Sequence, residues 1–185
     1  MEQINKVKSV SIWIFIVPFI AVNTCLILVT QFHDLFPNQE DIIHNTIPYF
    51  DGGASISRTA RPYPSWLVFK PAMFLTSFFL IKYWLFNKEI IIFFDNNNKN
   101  INKIVYFGIA SAIALTIHSI FLGIKFDNEY YKLFRRIVML LFIIFEIVAQ
   151  AYLVSTLYSF REKLLKYINR KFLIIKIFLI SILII

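Results

Sequence analysis

The chain has 185 residues and a net charge of +8, and it devotes 58% of its residues to apolar side chains, including 21 Phe against only 4 Gly. A soluble domain of this length has no interior large enough to hide that surface, so lipid must cover the remainder. Charged residues, at 16%, fall below the roughly 25% of soluble domains. The basic ones flank apolar runs, which points to anionic lipid headgroups and speaks against nucleic acid as a partner.

The first apolar run, about 10–30, is free of charge and holds Pro18, read as a packing kink. The preceding Met1 to Lys8 mimics a signal peptide, but the run is too long and lacks a small-residue cleavage site, so it reads as a retained helix. Cys25 is the sole cysteine. It lies within this run and is expected as a buried thiol rather than a lipoprotein cleavage site.

Residues 31–65 form a polar loop, and a second run follows at about 66–86. Glu89 to Phe94 either prolongs that helix or lies at the membrane interface. A polar turn, Asp95 to Lys103, leads to a third run at about 104–124. The short connector Lys125 to Lys132 leads to a fourth at about 137–158. Connectors this short imply antiparallel neighbours. After the basic segment Arg161 to Lys171, the chain closes with 14 apolar residues, 172–185. At ~1.5 Å per residue these span ~21 Å, short of a ~30 Å hydrocarbon core. The last helix therefore either ends within the bilayer or starts earlier, near Leu164, and a truncated chain stays open as well.

The expected fold class is all-α: a single polytopic transmembrane bundle of about five spans, with one long outer loop between spans 1 and 2. Lys6, Lys8, Lys88, Lys99, Lys103 and the Arg161 to Lys171 cluster outweigh Arg58, Arg61, Lys125, Lys132, Arg135 and Arg136 at the opposite ends. That bias places the amino terminus in the cytoplasm and the loop outside.

Within the loop, His33, Asp34, Glu40, Asp41, His44 and Asp51 are types that bind metal or move protons. Their spacing fits no compact metal motif, so no metal and no cofactor are expected. Asp51-Gly52-Gly53 reads as a tight turn, followed by Ser55, Ser57, Arg58 and Arg61. Guanidinium matches phosphate or carboxylate in two-point fashion, so these residues, with Asp51 and Lys70, form the candidate ligand-binding set. The competing reading has Asp51 pairing with an arginine to lock the loop onto the bundle.

Among the apolar runs, His118, Glu146 and Gln150 are the notable polar residues. Glu146 and Gln150 share a helix face. A carboxylate at that depth must face protein or water, or be protonated. A Glu146–His118 hydrogen bond between adjacent helices is one expectation. An interhelical pair serving assembly is the other. Asp51, His118 and Glu146 are the acid–base candidates for a catalytic role, which needs two of them, or a loop histidine with one, in a shared cavity. Lys176 is expected to reach back toward the membrane surface. No Gly-rich phosphate loop, HExxH or GxSxG pattern is present.

Pro48-Tyr49-Phe50-Asp51, the short Gly/Ser stretch, Pro62 and Pro64, the Phe69 to Met73 entry to the second run and Tyr83 near its exit together resemble the Frag1/DRAM/Sfk1 family of membrane proteins. The span order resembles that family over roughly 10–160, and the specific part is about 47–86. The family is typically six-spanning, one more than is expected here. The resemblance implies residence in an endomembrane or plasma membrane and roles in lipid organisation, lipid-anchor remodelling or autophagy, without an established catalytic triad. The Lys/Asn/Ile/Phe-heavy usage suggests an AT-rich genome, which a bacterial inner membrane fits, and in that setting the family's eukaryote-specific roles do not carry over.

Three functions follow as expectations. The first is a non-enzymatic membrane protein recognising lipid headgroups or a partner membrane protein. The second is a membrane-embedded lipid-modifying enzyme, and the third a small transporter or a subunit of a larger complex.

Overall fold

The computed structural model describes residues 2–38, 42–43, 49–50, 54–124, 128–164 and 169–184. Its elements are α1 (Glu2–Gln31), a 3-10 turn (His33–Leu35), α2 (Ile56–Ala60), α3 (Ser65–Phe94), α4 (Ile101–Phe121), α5 (Glu129–Ser159), α6 (Arg161–Leu164) and α7 (Arg170–Ile184). Four of these, α1, α3, α4 and α5, are long and apolar enough to cross a membrane. The fifth apolar run forms α7, whose 15 residues cover only ~22 Å.

α1, α3 and α5 overrun the apolar runs that predict them, whereas α4 is shifted to Ile101–Phe121 from the expected 104–124. Glu89 to Phe94 continues α3 to its end, and α5 begins at Glu129, well before Ile137. Helix propagation costs little once a turn exists, so polar flanks join a span until a capping or turn signal stops them. Asp95 supplies such a stop. Its carboxylate accepts from Asn97 N at 3.3 Å and from Asn98 Nδ2 at 3.0 Å. Asn100 Nδ2 then donates to Thr156 Oγ1 of α5 at 3.3 Å, tying the turn to the bundle.

At the other end Asn128 caps α5, its side chain accepting from Tyr130 N at 3.0 Å. Asn128→Ala should cost about 1 kcal/mol. Thermal unfolding of the purified chain in detergent should show the lower midpoint, with helix content retained.

α1 packs on α3, α3 on α4 and α4 on α5. The central core joins Leu80, Tyr83, Trp84 and Ile91 of α3 to Ile104 and Ala112 of α4 and to Ala149, Leu153 and Leu157 of α5. Val7, Val10 and Ile14 of α1 and Ile177 of α7 close over it. Trp84, fully buried, seats its ring on Gly108, the one position of α4 where a missing Cβ leaves room for it.

The outside of the bundle is as apolar as the inside. Phe15 is 67% exposed, Phe19 57% and Phe78 50%, and α7 exposes Phe178, Leu179 and Leu183. Large apolar side chains on several faces of one bundle require a non-aqueous surround, and the protein is embedded in a membrane.

The polar stretch between α1 and α3 is more folded than its composition implies. Phe36, Ile42 and Ile43 bury themselves against Val29 at the end of α1, with Leu28 and Ala54 packed alongside. α2 lays Ala60 against Cys25, Phe69, Met73 and Leu122. A small apolar cap thus seals one end of the bundle. Cys25 is buried as expected, its Sγ donating to Ser65 O at 3.4 Å.

Candidate functional site

Two polar centres emerge, one at the loop-bearing end and one in the interior. The first is a groove of about 630 Å³ lined by Ser57 and Arg61 from the α2 region, His118 and Leu122 from the end of α4, and Lys132, Arg135, Arg136, Met139, Leu140 and Ile143 from α5.

Local contacts explain why these side chains meet. Tyr131 Oη donates to Phe121 O at 2.7 Å, pinning the start of α5 to the end of α4. Gly123, at φ 87°, turns the chain there. A Cβ at that position would lie 3.1 Å from Arg61 O, so α2 comes down directly on the connector. Arg61 Nη2 donates to Ser57 Oγ at 2.9 Å. The Arg135 guanidinium stands 5.3 Å from the Tyr131 ring centre, and its Nε has no hydrogen-bond partner among the described residues. Lys132 pairs with Glu129 at 2.8 Å. No carboxylate is among the described residues lining the groove.

One end of the groove is therefore cationic, while Met139, Leu140 and Ile143 continue it down an apolar helix face. Arginine clusters hold phosphate-type anions through charge-assisted hydrogen bonds. An apolar wall starting beside them accommodates hydrocarbon.

The predicted ligand set divides. Ser57 and Arg61 line the groove, whereas Arg58 is exposed elsewhere on α2 and does not. Ser55 is the α2 N-cap, accepting from Arg58 N at 3.3 Å. Lys70 turns away from the groove. Its Nζ donates to Ile120 O at 3.2 Å and sits 5.2 Å from the Trp66 ring centre, where it satisfies the end of α4. Asp51 lies outside the described residues, as do Glu40, Asp41, His44 and Pro48. Sequence reasoning missed Lys132, Arg135 and Arg136 as site residues. Their signal is a basic cluster at the start of an apolar helix, which in sequence looks the same as an ordinary span flank.

The second centre is Glu146. Ser111 Oγ donates to Oε2 at 2.8 Å, and Gln150 Nε2 donates to Oε1 at 2.9 Å. The buried Trp84 indole turns toward the same carboxylate, but its N–H falls short of hydrogen-bond geometry. Lys176 of α7 lies within electrostatic reach. It does not extend to the membrane surface as expected. Its Nζ donates to Tyr83 Oη at 3.0 Å, inside the bundle.

The expected Glu146–His118 hydrogen bond is absent. Ser111, the partner Glu146 takes on α4, is seven residues from His118, or ~10 Å along the helix. His118 faces Arg135 and the groove instead. The two acid–base candidates thus share no cavity. Among the described residues no group of three His, Cys, Asp or Glu side chains has the arrangement to hold a metal ion. No family model, curated protein or solved structure matches this chain.

Proposed function

We propose that this is a non-enzymatic integral membrane protein that recognises an anionic lipid, with the headgroup held by Arg61, Arg135 and Arg136 and an acyl chain lying on Met139, Leu140 and Ile143. One observation carries the reading: cationic and apolar residues line a single groove at an end of the helices, where lipid headgroups lie. A soluble anion needs only the first half of that lining. Among the described residues the cations outnumber the nearby carboxylate, Glu129, which favours an acidic headgroup over a zwitterionic one.

The Lys/Arg distribution supports a non-cytoplasmic position for this end of the bundle, in a bacterial inner membrane or an endomembrane. The Frag1/DRAM/Sfk1 resemblance, with its roles in lipid organisation, agrees with this reading. The enzymatic alternative has less support, because His118 and Glu146 stand apart.

Native mass spectrometry on the full chain, extracted from membranes containing both zwitterionic and acidic phospholipid, tests the proposal. The wild type should retain acidic lipid. Arg135→Gln/Arg136→Gln should lose most of it while remaining folded and monodisperse. Equal retention by both proteins would refute the reading.

A further inference from the structure

Glu146 sits in surroundings that suit it both charged and neutral. A carboxylate accepts hydrogen bonds only, whereas a carboxylic acid must also donate one. Its two hydrogen-bond partners, Ser111 and Gln150, can each meet either demand. Ser111 Oγ donates to Glu146 Oε2, but Gly108 O stands 2.8 Å from the same hydroxyl as a second acceptor. Turned to Gly108, the hydroxyl offers Glu146 a lone pair in place of a proton. Gln150 now donates through Nε2, while its Oε1 is buried without a hydrogen bond among the described residues. Half a rotation of the amide presents that oxygen to Glu146 instead. A carboxyl group locked in one protonation state would need only one of these settings.

Among the described residues the surrounding charges are few. From α3 come Tyr83 and Trp84, from α4 Ser111, from α5 Gln150 and from α7 Lys176. α1 brings Val7, Val10 and Ile14 to this core. Among the described residues Lys176 is thus the cation that balances the carboxylate form. Its hold on Tyr83 Oη keeps it in place when the carboxylate is neutralised.

We propose that Glu146 is a reversible proton-binding site inside the bundle, with Ser111 and Gln150 exchanging donor and acceptor roles and Lys176 as the counter-cation. One proton from the aqueous phase forms an O–H bond on the carboxylate, and no other covalent bond changes. Binding leaves the centre one unit more positive, and at low dielectric that weakens the attraction drawing α7 toward it.

Infrared difference spectroscopy on the full chain in lipid nanodiscs, acid minus alkaline, reads the protonated carboxyl directly through its C=O stretch. The wild type should give a pH-dependent band that Glu146→Gln removes and that Ser111→Ala and Gln150→Leu shift in frequency. Removing the cation in Lys176→Met disfavours the carboxylate, so the band should persist to higher pH, equivalent to about tenfold tighter proton binding per pH unit moved. If Glu146→Gln does not fold, Glu146→Asp takes its place and must move the band. A wild-type spectrum with no such band, or a band unchanged in the Glu146 variant, overturns the proposal. A midpoint that stays put in Lys176→Met overturns the counter-cation role.

Discussion

Gly108→Ala should produce one of the largest losses of folded protein available from a single methyl group. The added Cβ would lie 2.6 Å from Trp84 Cδ1 and closer still to Cγ and Cδ2. The ring cannot step aside, because Trp84 is fully buried among Tyr83, Ile104, Ala112 and Leu153. Overpacking of this kind costs ~1–3 kcal/mol or more. In lipid the penalty bites harder, since helix association there rests on close packing rather than on escape from water. The expected outcome is a large drop in monodisperse yield and in the thermal midpoint by fluorescence-detected size exclusion. Trp84→Ala alone should also destabilise, by ~3–5 kcal/mol, through the cavity it leaves. Combined with Gly108→Ala it should do less damage than the two single losses added together, because the methyl group then points into vacated space. Additive losses would show that the two residues do not share the contact.

The second large effect is on lipid binding. Charge-assisted hydrogen bonds contribute about 1.5–3 kcal/mol each, and about 1.4 kcal/mol is tenfold in affinity. Reversing the groove's sign with Arg61→Glu/Arg135→Glu should therefore lower the retention of acidic phospholipid by roughly a hundredfold or more. Zwitterionic lipid should change little. Leu140→Gln, which leaves every cation in place and alters only the exposed apolar wall, should weaken lipid binding but not binding of inorganic phosphate. Partly screened cations at a membrane surface lose strength in salt, so retention in the wild type should also fall as ionic strength rises. An acidic-lipid preference that survives the double reversal would place the recognition elsewhere on the protein.

These two effects differ in how far the sequence anticipates them. Arg61 and Ser57 could be singled out, because an arginine and a hydroxyl after a Gly-rich turn are rare in a chain this apolar. Arg135 and Arg136 could not, because a basic pair at a span end has the same sequence signature whether it faces headgroups at large or a groove. Their shared groove depends on Tyr131 reaching Phe121 O and on α2 descending onto Gly123. Neither contact has a local pattern. Lys176 misled for a related reason. A lysine near the start of an apolar run usually stretches toward water, and only the position of Tyr83, 93 residues away in the chain, gives it an interior partner.

The membrane class and the all-helical bundle were fixed by composition and apolar run length, since both report a transfer free energy that each segment carries on its own. Tertiary structure alone decided that Lys70 closes a helix end, that His118 and Glu146 belong to separate centres, and that Trp84 fills the space above Gly108. These outcomes depend on helix rotation and depth. Rotation by a third of a turn changes every neighbour of a side chain, yet leaves the hydropathy of its span untouched.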